Sequence, residues 1–211
     1  MFDFLCKGRA PIAAVVLLVG IVSIAPADEV RVAGSTLGRF NAQAYAPTSS
    51  LFDLEYTNST FDNSTVGGLL DLGGNPSPGT NFNNLGSFTL GLADQDYNGN
   101  TFQLFVSFSA PATIVGGSTT FFNDTLTGSI LNGLGGVFID FDNTPQTFNF
   151  SNDEAVGSFT MFVNDVSIAP GQAASLTGHI SGSQQPVPEP SILVALACGG
   201  IGLLKRRRNK A

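Results

Sequence analysis

The sequence predicts an all-β protein: an antiparallel β-sandwich with jelly-roll or Greek-key connections, flanked by an N-terminal signal helix and a short C-terminal transmembrane helix. Three observations carry the β prediction. Apolar and polar residues alternate in short runs, turn residues cluster between those runs, and no stretch between the termini has the period of an amphipathic helix. In "TFQLFVSFS", residues 101–109, Phe102, Leu104, Val106 and Phe108 fall on one face, with Thr101, Gln103, Ser107 and Ser109 opposite. That is the period of two expected of a half-buried strand.

Taken from the start, the chain opens with a leader. Lys7 and Arg9 supply a small positive region, and residues 10–24, "APIAAVVLLVGIVSI", an apolar one. Ala25-Pro26-Ala27 then offers the small-x-small pattern that signal peptidase cleaves, which makes residues 1–27 a signal peptide. The alternative is a retained N-terminal anchor. With cleavage, the exported domain begins at Asp28 and spans residues 28–184. Its 157 residues suffice for one domain with a real core.

Both cysteines, Cys6 and Cys198, lie in the terminal segments, so the exported part has no disulfide to rely on. It carries 14 acidic residues against Arg31 and Arg39 alone, a net charge of −12 that repels phosphate backbones. Nucleic acid is therefore excluded as a partner. The whole-chain charge of −7 conceals this, because the other basic residues sit in the two end segments.

Residues 28–48 read as an irregular lead-in. Beyond them, "SFTLGL", "GVFIDF", "TFNF" and "SFTMFV" alternate as 101–109 do, in the Phe, Thr and Val that strands favour. The clusters "GGNPSPGTN", "QDYNGN", "DNTP" and "APGQ" punctuate them as turns. In "SFTMFVNDVSIAP" the apolar phase switches between Val163 and Val166, which predicts a bulge at Asn164 and Asp165. This segment resembles 101–111, through either duplication or a shared packing demand. Residues 181–188 read as a linker.

Candidate chemistry is sparse. Asp94, Asp96 and Asn98 alternate before Gly99, which is how an oxygen-lined calcium loop opens, although Phe105 stands where an EF-hand needs glutamate. The same residues also read as a plain Asn-Gly hairpin turn. Calcium through Asp94, Asp96 and Asn98 is thus the one cofactor the sequence offers. Asp140 and Asp142 would share a strand face about 7 Å apart, a spacing open to acid–base glycoside hydrolysis. Such a pair is more commonly the wet end of a strand.

His179 is the sole histidine, and no serine-nucleophile elbow, zinc-protease or dinucleotide-binding motif occurs. Sugar platforms usually rest on Trp or Tyr. The absence of Trp, with Tyr45, Tyr56 and Tyr97 only, weighs against a lectin-like role, since Phe is the aromatic a core prefers.

The C-terminus carries the most specific signal. Val187, Pro188, Glu189 and Pro190 precede an apolar run over 192–204 that includes Ile192, Leu193, Val194, Leu196, Ile201, Leu203 and Leu204. The basic cluster Lys205, Arg206, Arg207 and Arg208 follows. Proline–glutamate–proline, a short helix and a basic end, in that order at the C-terminus, resemble the PEP-CTERM sorting signal of Gram-negative-type bacteria. The resemblance covers roughly the last 24 residues and makes 185–211 a sorting signal. A 13-residue helix reaches about 20 Å, short of the roughly 30 Å bilayer core, which suits a transient stop more than a lasting anchor. The alternative is a plain C-terminal anchor.

The resemblance implies export, arrest in the inner membrane with the basic cluster in the cytoplasm, and processing at Pro188-Glu189-Pro190 by an exosortase-type membrane protease. It implies delivery to the envelope surface or the extracellular matrix. The resulting expectation is an exported, non-catalytic structural or adhesive β domain. The rivals are a calcium-assisted module that binds exopolysaccharide and, third, a secreted glycoside hydrolase.

Overall fold

The computed structural model describes residues 29–73 and 82–187. The expected signal peptide with Ala25 and Ala27 lies outside the described residues. So do Pro188, Glu189, Pro190, the apolar run 192–204 and the basic cluster. Among the described residues the regular structure is all strand, and no helix is long and apolar enough to cross a membrane.

Numbered in chain order, the strands form three sheets whose ladders are all antiparallel. The largest runs β14 (Val166–Ile168), β11 (Leu134–Phe141), β10 (Thr119–Leu131), β8 (Thr101–Ala110), β1 (Arg31–Phe40) and β4 (Thr60–Ser64). The two-residue β7 (Gln95–Asp96) also pairs with β10, and this seven-stranded sheet curls into half a barrel. The second sheet runs β5 (Leu69–Leu72), β16 (Gly178–Pro186), β13 (Ala155–Val163), β12 (Gln146–Ser151) and β9 (Ile114–Val115). The third runs β15 (Ala173–Ser175), β6 (Ser87–Leu90), β3 (Leu54–Thr57) and β2 (Thr48–Leu51).

The two smaller sheets pack on the inner face of the large one, as β8 shows. Its Phe102, Leu104, Val106 and Phe108 are buried, as their period demands. At one end Phe102 meets Tyr56 of β3 and Phe88 of β6, each at 5.0 Å between ring centres. At the other, Phe108 meets Phe148 of β12 at 4.8 Å and Phe159 of β13 at 5.0 Å. Each buried Phe contributes about 1.5–3 kcal/mol of transfer free energy, so these rings carry much of the cohesion between layers.

Space for the rings is made on β1. A Cβ on Gly34 would lie 2.6 Å from Cζ of Phe61, and one on Gly38 would lie 2.4 Å from Cδ1 of Tyr56. The Tyr56 hydroxyl is satisfied in the core, donating to the carbonyl of Leu85 at 2.8 Å and lying 2.8 Å from Oγ1 of Thr36. Burial holds its phenol far above the usual tyrosine range.

Three local expectations change. Residues 31–40 are not an irregular lead-in but the long strand β1, at the centre of the β8–β1–β4 ladder. The phase switch at Val163 and Val166 is not a bulge within one strand. Both residues are buried, Val163 at the end of β13 in the second sheet and Val166 at the start of β14 in the first. The chain crosses between layers there, so the inward side reverses. The linker expected over 181–188 is a strand for its first six residues, because β16 pairs with β13 through Ala155–Pro186 and the Val187 N–H donates to the Glu154 carbonyl at 2.9 Å.

Candidate functional site

The outer face of the large sheet is formed by the residues that alternate with its core. Ladder registry sets Leu37 of β1, Phe105 of β8 and Phe121 of β10 in one row, and Arg39, Gln103 and Asn123 in the next. An apolar row thus lies beside a polar one, because each strand repeats the same period and the registers match.

Tyr45 completes the surface. It comes from the β1–β2 connection, which is drawn back onto β1 by the paired backbone of Gly38 and Ala46, 3.2 Å in each direction. Its ring lies 5.5 Å from Phe105 and 5.7 Å from Phe121, and those two rings are 5.1 Å apart. Phe121 is 43% exposed. The Arg39 guanidinium stacks over Tyr45, 4.3 Å from the ring centre.

Polar groups are then chained across the sheet. The Tyr45 hydroxyl donates to Oε1 of Gln103, whose Nε2 donates to Oδ1 of Asn123. Asn41 holds the near rim, its Nδ2 on Oδ1 of Asn100 at 3.1 Å and its Oδ1 accepting from the Thr101 N–H at 3.0 Å. Beside the aromatic cluster lies an open cleft of about 310 Å³, whose lining includes Arg39, Asn41, Gln103 and Asn123 and also Phe102 and the acid Asp124.

Arg39 is the cation of this cleft. Among the described residues the other arginine, Arg31, is held by Asp62 through two contacts of 2.9 and 2.8 Å, whereas Arg39 makes no ion pair. Its Nη1 reaches the Gln43 carbonyl at 3.4 Å, and its Nε has no partner. Partial burial pushes the Tyr45 phenol up and Arg39 opposes this, so the hydroxyl stays a protonated donor at neutral pH.

No family model, curated protein or solved structure matches this chain. The chemistry of the surface therefore has to speak for itself. Planar rings beside a shallow row of amide, hydroxyl and guanidinium groups suit a ligand with apolar faces and hydroxyl edges.

The residues singled out in the sequence fall elsewhere. Asp94, Asp96 and Asn98 surround β7 and tie loops together. Oδ1 of Asp94 accepts from the Asn132 N–H at 2.6 Å, Oδ1 of Asp96 from the Asn98 N–H at 3.0 Å, and Oδ1 of Asn98 from the Gly128 N–H at 3.0 Å. The simple hairpin is not formed, because β7 pairs with β10 and not with β8, and of Asn98 and Gly99 only Gly99 has positive φ. Among the described residues no three His, Cys, Asp or Glu side chains stand in metal-holding geometry.

Asp140 is exposed on β11, and Asp142 lies beyond the strand end, where its Oδ1 accepts from the Thr144 N–H at 3.1 Å. The Thr144 hydroxyl, and after it that backbone hydrogen bond, hold the Asp142 carboxyl below the usual range. Neither acid lines the cleft. His179 is an exposed position on β16, stacked on Phe162 at 4.7 Å. Val187 is 39% exposed at the end of the described chain.

Sequence reasoning missed Arg39, Tyr45, Phe105 and Phe121 as a group. One signal was present: Phe105 interrupts the polar side of an otherwise clean alternation in residues 101–109.

Proposed function

We propose that this chain is an exported envelope protein, sorted through residues 185–211, whose β domain is a non-catalytic adhesive module that holds polysaccharide on the outer face of its large sheet. The observation that carries the adhesive reading is the row of Tyr45, Phe105 and Phe121 beside the polar cleft of Arg39, Gln103 and Asn123. Aromatic faces cover the apolar side of a sugar ring while amides and guanidinium groups meet its hydroxyls, which is how shallow sites gain orientation and selectivity. The acid excess of the exported domain suits solubility outside the cell.

The sandwich itself supports this use. Support for Greek-key, jelly-roll-like connections comes from the strand orders that place β1 between β4 and β8, and β16 between β5 and β13. Signal peptidase and an exosortase-type protease would act on the two ends, with the inner membrane as a transient station. Calcium at Asp94, Asp96 and Asn98 remains the proposed aid to binding; the Asp94 and Asn98 oxygens face the β10–β11 turn and β10, and the Asp96 oxygen faces its own loop.

The test is retention of the full chain on its host's surface polysaccharide in affinity electrophoresis. Y45A and F121A should each weaken retention about tenfold or more, the scale of a lost stacking contact plus its hydrogen bond. Unchanged retention in both variants would remove the cleft from the reading. A hydrolase would instead shorten the polymer, with D140N or D142N abolishing the cleavage.

A further inference from the structure

Arg39 is a cation without an anion. Among the described residues it makes no ion pair, while the other arginine, Arg31, is held by Asp62. A guanidinium carries its N–H donors in a rigid planar fork. Here Nη1 makes a 3.4 Å contact with the Gln43 carbonyl, and Nε is enclosed with no partner. Unmade hydrogen bonds cost a charged group more than a neutral one, so the site is incomplete without an acceptor.

The acids nearby do not supply it. Asp124 lines the same cleft, yet it is 4% exposed, both of its carboxyl oxygens are enclosed, and it makes no ion pair with Arg39. Burial, and after it the charges of Asp165, Asp140 and Asp142, push its carboxyl up to about 9, which leaves it neutral at neutral pH. Registry continues the row of Thr101 and Thr125 to the exposed Asp140 on β11. The cleft therefore has a cationic end at Arg39 and an acidic neighbour beyond Thr125.

The support under Arg39 also directs it. Its guanidinium stacks over Tyr45, 4.3 Å from the ring centre, and Tyr45 is held in turn by its hydroxyl on Gln103 and by the rings of Phe105 and Phe121. A planar cation stacked on a ring keeps its edge for a partner in its own plane. The two oxygens of a carboxylate match that edge. Phe121, 43% exposed and 5.7 Å from Tyr45, lies within the breadth of one sugar ring.

We propose that the cleft selects acidic polysaccharide, with the carboxylate of a uronic acid on the Arg39 guanidinium and its pyranose ring against Tyr45 and Phe121. This rests on the polysaccharide reading of the outer face and names the class of sugar that face takes. The attraction is local. An exported domain of net charge −12 repels a long polyanion elsewhere, so the preference is clearest with short oligomers.

The probes are a short oligogalacturonate and its methyl ester, which share the ring and differ in charge. Each is titrated into the full chain in mild detergent, and Kd is read from the ligand's NMR signals. The free acid should bind about tenfold more tightly than the ester. R39Q should bring the two within about twofold of each other. R39K keeps the charge without the fork and should retain only part of the preference. F121A should weaken acid and ester alike and leave their ratio unchanged, because Phe121 offers a ring and no charge. Equal binding of acid and ester, or a preference that survives R39Q, would overturn the assignment and leave the polysaccharide reading in place. So would binding of neither probe by a chain that still retains its host's polysaccharide. If that retention is missing as well, both readings fall.

Discussion

Phe102 and Phe108 project from the same face of β8, and each is the centre of a different aromatic cluster. Phe102 belongs to the contacts with Tyr56, Phe88 and Phe40, the last at 5.0 Å, and Phe108 to those with Phe148, Phe159 and Phe61. One strand therefore serves as the common wall of two half-cores. Its residues 102 and 108 are separated by about 20 Å of extended chain. F102L and F108L should each cost roughly 1–2 kcal/mol in urea unfolding, and the double variant should cost their sum, because sites this far apart rarely couple. A coupling beyond about 0.5 kcal/mol would mean that the two clusters act as one.

Gly38 and Gly99 separate two reasons for glycine. At Gly38 an added Cβ would lie 2.4 Å from Tyr56 and 2.7 Å from Phe102, inside a ring pair whose tyrosine is anchored by hydrogen bonds. G38A should destabilise by about 2–3 kcal/mol through overpacking. At Gly99 there is open space but φ is +76°, so G99A should cost about 1 kcal/mol through backbone strain alone. Denaturant midpoints of the two variants check the order.

The Arg31–Asp62 pair fixes the sign of one pH effect. The Arg31 side chain holds the Asp62 carboxyl below its ordinary value, so the pair's contribution is present above about pH 4 and is lost as pH falls through the lowered value. Both side chains are exposed, 65% and 47%, which keeps the contribution small and sensitive to salt. D62N should narrow the acid-side loss of Tm slightly at low salt and have no effect on it in 1 M salt.

In the aromatic cluster beside the cleft, Y45F and Y45A should differ. Y45F keeps the ring over Phe105 and Phe121 and removes only the bond to Gln103, so polysaccharide retention should fall a few-fold; Y45A should lose far more. Equal losses would place the contribution in the hydroxyl and not in stacking.

Processing of the ends can be read by intact mass and C-terminal peptide mapping of protein from the host's surface. A chain running from Asp28 to near Pro190 is expected. Such a product retains all of β16, whose last pair is Ala155–Pro186. A chain cut at Ser181 would lose five ladder pairs and should melt at lower temperature. Residues retained through Lys210 in the membrane fraction would instead identify an anchor.

The all-β class was legible in the sequence because a period of two reports, residue by residue, which side chains face inward. Phe102, Leu104, Val106 and Phe108 are buried as that period requires. The acid excess and the absence of cysteine between residues 28 and 184 are likewise properties of the chain itself. Periodicity does not name the partner strand, which is set by contacts remote in sequence. Only the tertiary structure decided that β7 joins β10, that Val163 and Val166 belong to different sheets, and that residues 31–40 form a central strand. Registry across β1, β8 and β10 brought Arg39, Phe105 and Phe121 together from positions more than 80 residues apart. It also placed Asp124 inside, where one polar letter in an alternating run gave no sign of what would surround it.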